Sequence, residues 1–184
     1  MFPIDAHRRQ PRRCWLASLL FVSALSVAAP FAYVTSGNPS DVSVIDTATN
    51  NIVATVPKAG GGPIAVDTAG TLVYVASSSG SLFIIDTATN AVVGKVPLDN
   101  PAIPVGIAVD PDGRRAYVSF WQWDVGDNSV SVIDLTTKTV RATIPLGFSP
   151  GRIAVNPAGT RLYVANYSGR AITVIDAVTY TVLA

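Results

Sequence analysis

The densest collection of ligand-binding side chains in this sequence is Phe120-Trp121-Gln122-Trp123-Asp124-Val125-Gly126-Asp127-Asn128. Flat apolar faces bordered by carboxylates and amides suit a sugar, a peptide or another aromatic ligand. Phe120, Trp121, Trp123, Asp124 and Asp127 are therefore ligand-binding candidates, joined by Tyr167 from the shorter loop Asn166 to Arg170. Other chemistry-bearing residues recur in a way that points to structure. Tyr33, Tyr74, Tyr117 and Tyr163 each precede Val, and an aromatic repeated at one position packs against its neighbour with its hydroxyl at the margin. Asp46, Asp86, Asp134 and Asp176 each close a hydrophobic-Ile-Asp triplet. A carboxylate opening a turn accepts the backbone N–H groups that follow, whereas a cation needs several oxygens converging on one point.

Asp110 and Asp112, in Asp-Pro-Asp-Gly, share residue types with a calcium loop. The spaced acids and closing Glu of such a loop are absent, so a hairpin turn is expected. Gly60-Gly61-Gly62 has no helix after it to present an N-terminus to phosphate, and reads as a flexible connection.

Nucleophiles and bases are scarce. His7 and Cys14 are the only His and Cys, and the chain has no Glu. Both sit in a segment with the anatomy of an export signal: Arg8, Arg9, Arg12 and Arg13, then an apolar run from Cys14 to Ala29, then small residues at Ser26-Val27-Ala28. The run is shorter than the ~20 residues of a spanning helix. Residues 1–28 are accordingly expected to be removed, leaving 29–184 in the periplasm, secreted, or at the cell surface. Arg12-Arg13-Cys14-Trp15-Leu16 is similar to a twin-arginine motif, and the general secretory route fits as well. Cys14 precedes the apolar run, against a lipoprotein anchor. From Ala29 onward nine Lys and Arg face eleven Asp, a net charge of about −2. No basic stripe invites nucleic acid, and no anionic membrane surface is expected as a partner once the signal is removed. With no disulfide, thiol or imidazole, no nucleophile–base pair stands out, and neither a cofactor nor a metal is expected.

The elements that must position these residues follow from repetition. The Tyr-Val pairs and the triplets recur at a spacing of roughly 40 to 48 residues, that of a four-stranded propeller blade. Short β-branched runs broken by Gly, Pro, Asn and Asp exclude a helical solenoid. Each unit reads as strands A to D. Strand A is Pro63 to Val66, Gly106 to Val109 and Arg152 to Val155. The A–B turns are Asp67 to Gly70, Asp110 to Gly113 and Asn156 to Gly159, with a side-chain acceptor opening and Gly closing at positive φ. Strand D is Val53 to Val56, Val92 to Val96 and Val140 to Ile144, unfinished at Val182-Leu183-Ala184. The units run 31–58, 59–98, 99–147 and 148–184.

Tyr163-Val164-Ala165-Asn166, the Val-Ile-Asp triplets and the Asp-Pro-x-Gly turn resemble the YVTN family of β-propeller repeats, from Phe31 to the end. The resemblance implies an all-β propeller, commonly of seven blades, in exported or cell-surface prokaryotic proteins; it implies no single activity. The sequence departs from the family in length. Its first unit lacks a strand A, and fifteen strands are counted, against roughly 28 in seven four-stranded blades. Two copies supply more strands than seven blades hold and fewer than eight do. Three readings stay open: a truncated or split gene product, an arc completed by a partner chain, and a four-bladed ring in which a segment near Ala29 to Phe31 adds the sixteenth strand. An arc exposes blade edges through which copies can self-associate.

For function, two classes remain. One is an exported, non-enzymatic scaffold that holds a protein or glycan partner on its loop face. In a propeller the B–C and D–A loops share that face, which places Asp99 to Pro104 and Phe148-Ser149-Pro150 near Trp121 and Trp123. The other is a propeller enzyme resembling lactonases or quinoprotein dehydrogenases, whose central site would be calcium- or cofactor-dependent. An Asp–Asn calcium site is the one route the residue inventory leaves it.

Overall fold

The computed structural model describes residues 31–37, 40–98, 100, 102–123 and 128–184. The expected export signal, and with it His7 and Cys14, lies outside the described residues, as do Asp99, Pro101, Asp124 and Asp127. Among the described residues no helix is long and apolar enough to cross a membrane.

Among the described residues fourteen strands form four antiparallel sheets, each a meander in chain order. The first sheet is β1 (Phe31–Thr35), β2 (Val42–Asp46) and β3 (Asn51–Val56). The second is β4 (Ile64–Val66), β5 (Leu72–Ser77), β6 (Ser81–Asp86) and β7 (Ala91–Pro97). The third is β8 (Ile103–Val109), β9 (Arg115–Trp121), β10 (Ser129–Asp134) and β11 (Thr139–Pro145). The fourth is β12 (Pro150–Val155), β13 (Arg161–Asn166) and β14 (Ala171–Asp176). This is a β-propeller architecture of successive blades. The fifteenth strand expected at Val182-Leu183-Ala184 is present only as a bridge from Val182 to Ile175, with Leu183 N–H donating to the Val174 carbonyl at 2.8 Å.

Turn chemistry sets the strand ends. Gly70, Gly113 and Gly159 donate to the carbonyls of Asp67, Asp110 and Asn156 at 3.1, 2.8 and 2.9 Å. Their φ angles are 69, 70 and 68°, the region glycine enters without steric cost. In the C–D turns the carboxylates of Asp46, Asp86, Asp134 and Asp176 each accept two backbone N–H bonds, as from Thr136 and Thr137 to Asp134 at 2.9 Å each. The recurring aspartates thus hold their own turns. A register shift recurs inside three triplets, at Val44/Ile45, Ile84/Ile85 and Val132/Ile133, a bulge that adds local twist.

The core lies between sheets, and three apolar clusters join them in order. Val42, Val44 and Val56 meet Val73, Val75 and Ile85 between the first and second sheets. Tyr74, Leu82, Ile84 and Val96 meet Ile107, Val118, Phe120 and Ile133 between the second and third. Tyr117, Val130, Val132 and Ile144 meet Ile153, Leu162, Val164 and Ile175 between the third and fourth. Each strand therefore sends alternate side chains to the preceding and following blades, as a period of two requires.

Two expectations are corrected here. The Gly60-Gly61-Gly62 run is packed, not a flexible connection: a Cβ on Gly61 would stand 2.6 Å from the Ser36 carbonyl oxygen, and one on Gly62 would overlap the carbonyl of Ala76. Glycine is needed there because backbone crosses backbone. The four-bladed ring is corrected as well. Phe31 belongs to β1, which pairs with β2, and the outer faces of the first and fourth sheets are uncovered, with Val34 49%, Tyr163 40% and Ile172 65% exposed. The described residues form an open arc.

Candidate functional site

The loop-face residues converge where the inner strands of the third and fourth sheets meet. Trp121 ends β9, Tyr167 follows β13, and Pro150, Gly151 and Arg152 open β12. Together with Val105 of β8 these line one cleft of about 370 Å³. The B–C and D–A connections do share this face.

Several bonds hold the cleft. Ser119 Oγ donates to the Gly151 carbonyl at 2.7 Å, tying β9 to β12. Tyr167 N–H donates to the Ser149 carbonyl at 2.9 Å, which fixes the start of its loop. The Gln122 N–H donates to Asn128 Oδ1 at 2.8 Å, closing the base of the tryptophan loop. Trp123 lies against Trp121, ring centroids 4.6 Å apart and tilted by 58°, and is itself 83% exposed. Tyr167 is 86% exposed. Large apolar rings left in water beside a cleft are the kind of surface a ligand covers.

Phe120 takes no part in this cleft. It is 1% exposed and packs between the second and third sheets. Strand β9 runs on through Trp121, so alternation turns Phe120 inward towards Leu82 and Ile133 while Trp121 reaches the cleft. Asp124 and Asp127 lie outside the described residues.

Arg152 is the side chain that reasoning from loops passes over. It is exposed and lines the Trp121–Tyr167 cleft, and it also lines a second cleft of about 450 Å³ with Tyr33, Val34, Thr35, Gly61 and Ile64. The signal was available, since Pro63 and Gly106 hold the corresponding place in the second and third units and neither carries a charge. A guanidinium there offers five N–H donors in a planar fork that matches a carboxylate.

At the opposite end of the strands, by the A–B and C–D turns, buried ionic chemistry is committed to packing. Asp110 is 2% exposed; its carboxylate pairs with Arg115 at 2.7 Å and accepts from the Tyr117 hydroxyl at 3.3 Å. Arg115 Nη1 also donates to the Ala177 carbonyl, in the turn after β14, at 2.9 Å. Burial, foremost, pushes the Tyr117 hydroxyl well above its ordinary range, so it stays a neutral donor. Asp110 thus does more than open a hairpin, while Asp112 accepts the Arg114 N–H at 3.0 Å within the turn. Burial likewise raises Tyr33, with Asp86 adding to it, and the Tyr33 hydroxyl donates to Asn90 Oδ1 at 3.2 Å. Among the described residues no three or more His, Cys, Asp or Glu side chains gather as a metal site would.

No family model matches the chain, and no curated protein matches it. Solved structures do. The chain is similar to Kuenenia stuttgartiensis hydrazine synthase, with a TM-score of 0.69 and 22% identity over 85% of this chain and 48% of that one. It thus spans about half the length of that structure. At this identity the likeness is one of fold, and it agrees with the propeller architecture.

Proposed function

We propose that this chain is an exported, non-enzymatic propeller scaffold of the YVTN type whose loop face holds a protein or glycan partner, and that the cleft chemistry favours a glycan bearing carboxylates. The observation that carries the reading is the convergence of Trp121 and Tyr167, from adjacent blades, on one cleft with Arg152. Aromatic faces take the apolar face of a sugar ring, and the guanidinium takes its carboxylate. Trp123, lying against Trp121, extends the same face.

The test is a fluorescence titration, because both tryptophans outside the expected signal stand in this loop. An oligogalacturonate is expected to change the emission of the wild-type chain saturably, and a neutral cello-oligosaccharide to bind more weakly. Trp121→Ala is expected to abolish the effect, and Arg152→Ala to weaken binding at least about tenfold, the worth of a charge-assisted hydrogen bond. Unchanged affinity in Trp121→Ala contradicts the proposal, as does the absence of a saturable change with both sugars.

A further inference from the structure

Repetition gives each residue a counterpart in the neighbouring units, and several departures from it fall together at the opposite end of β9 from Trp121. There the A–B and C–D turns of the third sheet face the C–D turn of the fourth across a cleft of about 640 Å³, a size within the ~300–1,000 Å³ of small-molecule sites. Arg141 of β11 lines it. At the same register, one place before Ala54 and Gly94 as Arg141 is one before Ala142, β3 and β7 carry Val53 and Val93. Asp112 and Arg114 line the cleft from the A–B turn, where the second unit has Ala69 and Thr71 and the fourth Ala158 and Thr160. Tyr180 stands on the far wall, at the left-handed position that Asn50, Asn90 and Lys138 hold in the other C–D turns, with φ 60°.

The charges of this cleft are balanced, and most are not tied up. Arg115, on the same wall, is taken by Asp110 and the Ala177 carbonyl. Arg114 meets Asp112 only at 3.9 Å, with the side chains 79% and 51% exposed, and a pair so open to water holds its members weakly. Arg141 is exposed and makes no ion pair among the described residues. Asp134, also lining the cleft, accepts the Thr136 and Thr137 N–H groups on Oδ1 alone. Two guanidiniums and two carboxylates therefore border the same space. A ligand of one sign is repelled by half of them, whereas a ligand carrying both signs is matched.

We propose that this cleft binds a zwitterion of the amino-acid or short-peptide type, its carboxylate held by Arg114 and Arg141 and its ammonium by Asp112 and Asp134. A planar guanidinium fork takes a carboxylate through parallel N–H bonds, and an ammonium donates to carboxylate oxygens. The Tyr180 ring adds an apolar wall beside them. This cleft and the Trp121–Tyr167 cleft stand at opposite ends of the strands and share no residue, so the proposal stands or falls apart from the glycan reading.

Equilibrium dialysis of the full chain at neutral pH tests this with three labelled probes: glycine, triglycine, and N-acetyl-triglycine amide, which keeps the backbone and loses both charges. Saturable binding is expected for a charged probe; glycine and triglycine together point to an amino-acid site, and triglycine alone to a peptide site. The blocked peptide is expected to bind at least about tenfold more weakly. Arg141→Gln and Asp112→Asn are each expected to weaken the charged probe at least about tenfold, the worth of a hydrogen bond to a charged group. Both positions are exposed, so the fold stays intact, which circular dichroism checks. Absence of saturable binding by both charged probes overturns the proposal. So does a blocked peptide that binds as tightly as triglycine, or wild-type affinity in both variants.

Discussion

The four C–D aspartates show what a repeated acidic residue does in this fold. Each carboxylate sits at the surface and accepts backbone N–H groups from its own turn. For Asp86, Asp134 and Asp176 these bonds hold the carboxyl below its ordinary range, the largest cause in each being the N–H of Thr89, Thr137 or Thr179. A carboxyl whose pKa falls on folding binds its proton more weakly in the native state. Its contribution is therefore present above the unfolded value, about 4, and is lost as pH drops through the folded one. The melting temperature is expected to fall as pH is lowered below about 4, and to fall less steeply in Asp134→Asn, which keeps an acceptor but loses the titration. Equal slopes in thermal melts would contradict this account. The role was legible in the sequence because each Asp closes the same triplet and Thr and Asn follow it at Asp46 and Asp86. Asp110 was only half legible, since nothing local announces that its side chain turns inward to Arg115 and Tyr117.

Between the third and fourth sheets, β8 and β12, the inner strands beside the cleft, approach closely. A Cβ on Gly106 would stand 2.8 Å from Ser119 Oγ, 2.9 Å from the Ile153 nitrogen and 3.0 Å from the Arg152 Cα. Two of these atoms are backbone of the neighbouring sheet and cannot swing aside. Gly151, in β12, would meet the Ala165 Cβ at 3.5 Å, an ordinary contact. Gly106→Ala is expected to cost about 1–3 kcal/mol and Gly151→Ala much less, read by urea denaturation; equal costs would show that the sheets are free to separate here. The strands themselves were legible, because alternation and turn residues agree in every unit. Their ends were not: β9 extends through Trp121, and that extension puts Phe120 in the core. The glycine run misled for a related reason, as glycine marks loose chain and close backbone crossing alike, and only the neighbours Ser36 and Ala76 distinguish them.

For the whole molecule, the arc explains both the clarity of the fold and the faintness of the site. Repetition makes the propeller readable, since each blade restates the same faces. A binding site consists of departures from repetition, and these differ in visibility. The Trp121–Trp123 loop is a long departure and is easily seen, whereas Arg152 is a single charge at a strand position held by Pro63 and Gly106 elsewhere. Tyr167 comes beside Trp121 through the packing of two blades, which no local pattern records. The account rests on that convergence being a ligand site. A crystal structure of the chain grown with an oligogalacturonate tests it most directly. The account predicts a sugar ring lying on the face of Trp121 near Tyr167, with its carboxylate hydrogen-bonded to the Arg152 guanidinium. A saccharide bound elsewhere, or a cleft left vacant while other faces are occupied, would contradict it.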